Sequence, residues 1–177
     1  MYFHLISTII LVAEQYGFRN NSSTETAIYN LTNNISEALN SNKCLGGIFC
    51  DLTKAFDYVN HNILLPKLEF YGITGTAMNL IKSYLVDRYQ RVRIKNKQSK
   101  YHFSEWNKVK KGVPQGSVLG SLFFILYIND LPCLIKDMHA SKPTLYADDT
   151  SIIITHPNSI DFKEELNSVI EKISNCF

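Results

Sequence analysis

The chain has 177 residues, of which 45% are hydrophobic and 12% aromatic. This length and apolar content suffice for one compact domain with its own core. A net charge of +2 indicates no partner by itself. The four cysteines, at 44, 50, 133 and 176, form no Cys-x-x-Cys pair, which excludes the usual zinc and redox motifs and predicts free thiols with no disulfide partner.

The N-terminus, MYFHLISTIILVA, is apolar, but it is shorter than the roughly 20 residues that a membrane-spanning helix needs. It also lacks the positive start of a signal peptide. We therefore expect a buried segment and no contact with a membrane.

Apolar residues recur at helical spacing in several segments. The first helix should begin after a Ser22-x-x-Glu25 capping pattern. Pro66 lies inside the second helical stretch, which it should kink or interrupt. The predicted helices cover residues 23–41, 53–70 and 74–85, an apolar stretch after GVPQGS, and residues 159–173. The last one should face the core with Phe162, Leu166, Val169, Ile170 and Ile173.

Strand patterns lie between these helices. CLGGIFC, residues 44–50, reads as a short buried strand, and TLYADDTSIIIT, residues 144–155, reads as a hairpin. YQRVRIK, residues 89–95, alternates basic and apolar residues, which predicts a strand with one basic face, paired with YHFSEW. This irregular mixture indicates an α+β fold with a mostly antiparallel sheet packed on helices.

One segment carries most of the positive charge. Residues 88–111 contain nine lysine and arginine residues and one acid, Glu105, which gives them a charge of +8 in a chain whose remainder is −6. Such asymmetry favours a polyanionic partner, although a solvated hairpin would show the same pattern.

Three aspartates stand where strands end. Asp51 follows the first strand, and Asp148 and Asp149 occupy the bend of the hairpin. If the two strands are neighbours, we expect the carboxylates of Asp51 and Asp148 to lie close enough to share a cation, because like charges otherwise repel. Mg²⁺ prefers such oxygen ligands, and two metals about 4 Å apart catalyse phosphoryl displacements. By itself, an Asp-Asp pair can also indicate an ordinary surface turn without a metal, because Asp is common in turns.

Three segments resemble, in order and spacing, motifs A, B and C of reverse transcriptases: FCDLTKAFDYVNHNILLPKL, KKGVPQGSVLGSLFFILYINDLP and YADDT. The residues of these motifs, together with QYGFRNNSSTETAI, resemble those of reverse transcriptases from the non-LTR (LINE-type, Jockey-like) retrotransposon branch. The resemblance covers roughly residues 9–177. It implies a partial reverse transcriptase domain, made of the polymerase palm and part of the fingers, with the thumb absent.

The resemblance implies roles at the reaction centre. Asp51, Asp148 and Asp149 would bind two catalytic Mg²⁺ ions, with Mn²⁺ as a substitute, and the carbonyl of Leu52 would be a further ligand. The implied function is RNA-directed DNA polymerisation, with an RNA template, a DNA primer and deoxynucleoside triphosphates (dNTPs) as partners.

Other matching positions would contact the incoming nucleotide. Phe56 matches the aromatic steric gate that rejects the ribose 2′-hydroxyl, whereas its spacing alone fits a core aromatic. Gln115 and Gly116 match a turn that lies against the nucleotide and the template. By themselves they fit a plain turn before a helix.

Contacts with nucleic acid are implied for five more residues. Arg19 matches an arginine of the fingers, for which a surface salt bridge is the alternative. Tyr146 would pack beside the metal site, near the primer end. Arg91, Arg93 and Lys95 would contact phosphates.

The resemblance also divides the chain. The fingers would comprise about residues 1–42 and 86–111, and the palm about 43–85 and 112–177. Ser121 stands where the family usually has a proline, and no segment resembles motif D, motif E or an endonuclease. We therefore expect no processive copying by this chain alone. The alternative is an inactive remnant, at most a nucleic-acid-binding or protein-interaction module, and the compartment, nuclear or cytoplasmic, stays open.

Overall fold

The structure is a computed structural model that describes residues 10–136 and 141–176. Most of the N-terminal segment for which burial was expected lies outside the described residues. The helices are α1 (Thr24–Asn40), α2 (Ala55–Tyr58), α3 (His61–Phe70), α4 (Gly75–Leu85), α5 (Val118–Tyr127), α6 (Leu131–Lys136) and α7 (Ser159–Cys176). The strands are β1 (Cys44–Cys50), β2 (Tyr89–Gln90), β3 (Arg93–Lys95), β4 (Tyr101–Phe103), β5 (Asn107–Lys108), β6 (Ser141–Tyr146) and β7 (Asp149–His156).

Three strands form the central antiparallel sheet, in the order β1, β7, β6. The register of β1 on β7 runs from Cys44 opposite His156 to Cys50 opposite Thr150. A two-residue turn joins β6 to β7. The predicted strand, the predicted hairpin and the α+β class with an antiparallel sheet are therefore confirmed. The burial predicted for the strand is not, since Phe49 of β1 is 67% exposed.

Helices cover both faces of this sheet, which explains why three consecutive isoleucines of β7 are buried. Ile152 and Ile154 face the main core, and on the same side Phe162 of α7 packs over Gly46. Ile153 points to the opposite face, which α1 covers. The main core fixes the register, because a shift by one residue would turn Ile152 and Ile154 away from it and bring only Ile153 toward it.

The main core is built around α5, in which residues 123–126 are at most 2% exposed. The window Val118–Ile135 is long and apolar enough to cross a membrane, with a mean hydropathy of 1.9. This window nevertheless contains two helices, because α5 ends before α6 begins, and 61% of it is buried inside the protein. Packing in the core therefore accounts for its apolar character.

The basic strand is interrupted, contrary to the prediction of one continuous strand. β3 pairs with β4 and β2 pairs with β5, in two separate two-stranded ladders. Between them, the hydroxyl of Ser104 accepts a hydrogen bond from the N–H of Val92 at 2.9 Å, and the N–H of Ser104 donates to the Val92 carbonyl at 3.0 Å. The Ser104 side chain thus replaces a backbone carbonyl as the acceptor between the two ladders. The predicted pairing with YHFSEW holds for residues 101–103.

Pro66 does not interrupt its helix, so the prediction of an interruption was wrong, whereas the kink stays a prediction. α3 continues through Pro66, and the break falls earlier, where the side chain of Asn60 accepts a hydrogen bond from the N–H of Asn62 at 2.9 Å. Leu64 and Leu68 are fully buried on either side of the proline. Their packing offsets the one hydrogen bond that a proline removes from a helix.

Two smaller predictions also need correction. Ile170 is 46% exposed because it lies about 100° around α7 from its neighbour Val169. The residues of α7 that pack on the core are Phe162, Leu166, Val169 and Ile173. At the start of α1 the cap is Ser23 rather than Ser22, and Thr26 completes the capping box.

Candidate active site

Three acids lie at one end of the central sheet. The last pair of the β1–β7 register is Cys50 with Thr150, so one further step sets Asp51 opposite Asp149. Cα atoms at opposite positions of antiparallel strands are about 4.5–5.5 Å apart. Asp148 belongs to the turn that immediately precedes β7. The fold therefore brings the three predicted acids to the same edge of the molecule.

The three carboxylates are open to a ligand. Asp51 and Asp149 are exposed and Asp148 is half-buried, and in the described part of the chain none of their side chains forms an ion pair or hydrogen bond. Over residues 10–136 and 141–176, no three His, Cys, Asp or Glu side chains form a group that could hold a metal ion. The acids thus share one end of the sheet without converging on one point.

The donor atoms at this end fit a hard cation such as Mg²⁺. Carboxylate oxygens are its preferred protein ligands. Burial raises the pKa of the Cys50 thiol, so the residue beside Asp51 stays protonated and offers no soft thiolate. The Leu52 carbonyl accepts a hydrogen bond from the N–H of Ala55 at 3.1 Å, which leaves one of its two lone pairs for another partner.

The turn that carries Asp148 is strained. Ala147 has a φ of 56°, in the left-handed region that costs a non-glycine residue about 1–2 kcal/mol. A segment from the N-terminus supports the turn from one side, because the N–H of Tyr16 donates to the Leu145 carbonyl at 2.8 Å and the N–H of Leu145 donates to the Glu14 carbonyl at 2.9 Å. Sequence analysis missed this support, since residues 14–16 show neither helical nor strand periodicity.

Phe56 packs against the main core without being fully buried. Its ring stacks on Phe124 with centroids 4.6 Å apart and meets Phe18 edge to face at 6.2 Å. The side chain is half-buried. Both interpretations of Phe56, a core aromatic and a ring that faces the nucleotide, are compatible with this position.

The segment before α5 is attached to α2 by its backbone. The N–H of Gly112 donates to the Val59 carbonyl and the N–H of Val113 to the Phe56 carbonyl, each at 2.8 Å. The amide of Gln115 donates to a carboxylate oxygen of Asp57 at 3.0 Å. Gln115 and Phe56 are thereby held in neighbouring segments, although they are far apart in sequence.

A cleft of about 700 Å³ opens beside the turn. Three of the predicted site residues, Arg19, Gly116 and Tyr146, contribute to its walls. The guanidinium of Arg19 donates to the backbone carbonyls of Val12 and Gln15. Arg19 therefore braces the N-terminal segment through hydrogen bonds to carbonyl groups, which differs from the surface salt bridge that was the alternative.

A second cleft, of about 580 Å³, is strongly basic. Three of its cations are engaged within the protein. Lys108 pairs with Asp87, and the amino group of Lys111 lies 3.8 Å from the centre of the Tyr58 ring. The guanidinium of Arg88 donates to two backbone carbonyls, each at 3.4 Å. Sequence analysis assigned no role to these cations individually, because only the fold brings them around one opening. The cations that line it are Lys54, Arg88, Lys108, Lys110 and Lys111.

The basic strand presents its cations against aromatic rings. The guanidinium of Arg91 lies 4.1 Å from the centre of the Phe103 ring and 4.5 Å from that of Trp106. Arg93 and Lys95 both lie over Tyr101, at 4.9 and 5.9 Å. Contacts of this kind orient the charges on one side of the ladder. The structure does not bring these residues to the acidic end of the sheet by any contact among the described residues.

Comparison with known proteins gives consistent results. Residues 4–177 match the family described as reverse transcriptase (RNA-dependent DNA polymerase). The chain is 34% identical over 154 residues to a probable RNA-directed DNA polymerase from transposon BS of Drosophila melanogaster, a match that covers 81% of this chain and 16% of that protein. It is 33% identical over 139 residues to the corresponding protein from transposon X-element of the same organism, covering 78% of this chain and 15% of that protein.

Solved structures of telomerases share the fold. Apo telomerase from Candida tropicalis, truncated from its C-terminal domain, superimposes with a TM-score of 0.61 at 20% identity and covers 91% of this chain and 32% of that chain. Telomerase from Candida albicans, in complex with a fragment of telomeric RNA, gives 0.60 at 13% identity and covers 96% and 31%. At these identities the likeness concerns the fold alone.

The contact between Gly112 and α2 gives a testable prediction about stability. Gly112 has a φ of 90°, and a Cβ there would lie 2.8 Å from the backbone oxygen of Asp57. Gly112→Ala should therefore cost about 1–3 kcal/mol from overpacking, in addition to about 1–2 kcal/mol for the left-handed conformation. Gly75→Ala is the matched control, since Gly75 has a φ of 60° but nothing within 4 Å. Urea unfolding of both variants measures the difference, and equal losses would contradict the predicted clash.

Proposed function

The chain belongs to the reverse transcriptase (RNA-dependent DNA polymerase) family, and on that premise we propose that it forms the nucleotidyl-transfer centre of an RNA-directed DNA polymerase of a non-LTR retrotransposon. Its curated relatives include polymerases of such elements. The chain spans about 16% of the length of the first of them. We therefore propose the polymerase activity for this chain and do not take it over from these relatives. The observation that supports it is the position of Asp51, Asp148 and Asp149 at the same end of the sheet.

The proposed centre assigns a role to each nearby residue. Asp51, Asp148 and Asp149 would hold two Mg²⁺ ions, or Mn²⁺ in their place, with the Leu52 carbonyl as a further ligand. Bound in this way, the ions would activate the attacking primer oxygen and stabilise the leaving oxygen in an in-line displacement. An RNA template, a DNA primer and dNTPs are the proposed substrates. The alternative of an inactive remnant is not favoured, because the three acids are present and open.

Positioning of the nucleotide would fall to the residues around the acids. Phe56 would close the space beside the sugar, and Gln115 and Gly116 would lie along the nucleotide. The hydrogen bond from Gln115 to Asp57 supports this role because it fixes the amide at the rim of the basic cleft. Arg19 would act indirectly, by bracing the N-terminal segment near the turn.

The path of the nucleic acid would follow the positive charge. Arg91, Arg93 and Lys95 on their aromatic supports would contact the phosphate backbone, and Tyr146 would lie near the primer end. The division into fingers, at about residues 1–42 and 86–111, and palm, at about 43–85 and 112–177, belongs to the same proposal. The separate ladders of β2–β5 and β3–β4, which share no strand with the central sheet, support it.

Metal binding tests the acidic centre directly. We expect the purified chain to bind Mn²⁺, measured by the loss of the EPR signal of the free ion, and Asp148→Asn to weaken this binding because a ligand charge is removed. Asp161→Asn is the control, since Asp161 lies beside His156 at the other end of the sheet. Equal Mn²⁺ binding by the wild type and Asp148→Asn would refute the assignment.

Addition of a single nucleotide tests the chemistry without requiring processive movement. With the protein in excess over a primer annealed to an RNA template, we expect templated addition of one deoxynucleotide in Mg²⁺ or Mn²⁺, and its loss in Asp148→Asn. No addition by a chain that still binds Mn²⁺ would favour the remnant alternative instead.

Substitution of Phe56 tests sugar selection in a polypeptide that shows this activity. Phe56→Val should raise the ratio of ribonucleotide to deoxynucleotide incorporation by about 10–100-fold, because it removes a collision worth about 1–3 kcal/mol. Phe124→Val is the matched control: it removes the ring on which Phe56 stacks from inside the core. An unchanged ratio in Phe56→Val would show that Phe56 does not select the sugar and serves only to pack the core.

Neutralisation of the basic strand tests the nucleic-acid contacts. Changing Arg91, Arg93 and Lys95 together to glutamine should weaken binding equally for unrelated sequences, and each lost phosphate contact should reduce the log–log salt slope by about 0.9. The control variant neutralises three exposed lysines elsewhere on the surface, namely Lys43, Lys82 and Lys163. If both triple variants change affinity and slope alike, only the net charge matters and the strand is not the contact surface.

A further inference from the structure

We propose that Gln15 is a positioning residue that holds the Asp148 turn in the conformation that binds metal. This inference rests on the proposed function, because it concerns the same acidic centre. Gln15 is only 2% exposed and lies far from the turn in sequence. Its amide nevertheless forms two hydrogen bonds with the backbone of Ala147 in the turn.

The side chain of Gln15 forms hydrogen bonds with both backbone polar groups of one residue in the turn. Its Oε1 accepts hydrogen bonds from the N–H of Ala147 at 3.0 Å and from the N–H of Gly17 at 2.7 Å. Its Nε2 donates to the carbonyl of Ala147 at 3.3 Å. The N–H and the carbonyl of Ala147 are thus both bound by a single side chain, immediately before Asp148.

The turn needs such support because of its backbone conformation. Ala147 has a positive φ at a hairpin position where glycine is usual, and a residue in this region persists only when its surroundings hold it there. Close packing supplies a second restraint, since a Cβ at Gly17 would lie 2.2 Å from the nitrogen of Ala147. The N-terminal segment therefore both binds the turn and limits its space.

Only an amide can make this set of hydrogen bonds. A methionine of similar length offers neither the donor nor the strong acceptor, so Gln15→Met leaves both polar groups of Ala147 without a partner. Gly17→Ala acts differently, because it keeps the amide and displaces the turn by steric contact. Two variants with different chemistry should thus produce the same loss of metal binding.

Asn129 provides a matched control. It is also buried, at 5% exposed, and it anchors the same N-terminal segment: its Oδ1 accepts from the N–H of Val12 at 3.0 Å and its Nδ2 donates to the Ile10 carbonyl at 2.8 Å. Asn129 makes no described contact with the turn. Asn129→Leu therefore loosens the segment without removing the support of Ala147.

The experiment compares the full chain with Gln15→Met, Gly17→Ala, Asn129→Leu and Asp148→Asn. Mn²⁺ affinity is measured by EPR, and hydrogen–deuterium exchange reports the protection of the peptide that contains Ala147, without metal. We expect Gln15→Met and Gly17→Ala to weaken Mn²⁺ binding by about 10–100-fold, the loss typical of residues that orient ligands, and to speed exchange in the turn. Asn129→Leu should lose comparable thermal stability while its Mn²⁺ affinity stays within about twofold of wild type, because the ligands stay oriented.

The outcomes separate this inference from the proposed function. Wild-type Mn²⁺ affinity in Gln15→Met, or an equal loss in Gln15→Met and Asn129→Leu, would overturn the role of Gln15 while Asp148→Asn still confirmed the metal site. If Gln15→Met does not fold, Gln15→Asn decides the matter by the same comparison, because it keeps a buried amide that is one methylene too short to bind Ala147 as Gln15 does. Wild-type affinity in Asp148→Asn would instead overturn the metal site itself, and the positioning role with it.

Discussion

The pairing of β1 with β7 is the constraint on which the rest of the site depends. Asp51 is the first residue after β1 and Asp149 is the first residue of β7, so they are neighbours only in the register that is observed. A slip by one residue would turn Ile152 and Ile154 away from the core. The hydrophobic burial of two isoleucines therefore fixes the position of two acids that make no stabilising contact of their own among the described residues.

Main-chain hydrogen bonds then attach the other segments to this frame. The segment before α5 donates its N–H groups to carbonyls of α2 and of Val59 just after it, and the N-terminal segment both donates to and accepts from Leu145 of β6. Contacts of this kind use no side-chain atoms, so the ring of Phe56 and the amide of Gln115 make separate contacts, with Phe124 and Asp57 respectively. Glycine is required where two backbones approach closely, as at Gly17 and Gly112.

The sequence was sufficient to predict what depends on local pattern. The helices α1 and α4, the strand β1 and the hairpin follow from periodicity, and the acids stand where that pattern ends. Contacts between distant segments could not be predicted: Pro66 is tolerated because buried leucines flank it, and Gln15 meets Ala147 only after the chain has folded. The basic cleft is a similar case, because residues as far apart as Lys54 and Lys110 form one surface that no single stretch of sequence displays.

The residues behind the turn are buried, whereas the acids for which we propose a chemical role are exposed or half-buried. Asp51 and Asp149 are exposed, where water screens the repulsion between their charges, so the fold tolerates them without a bound cation. Gln15 and the strained Ala147 are buried instead, where an unpaired polar group is costly. The exposed acids can thus be changed with little effect on folding, whereas Gln15 and Ala147 are part of the folded core. Stability and metal affinity should therefore respond together to changes behind the turn and independently to changes at the acids themselves.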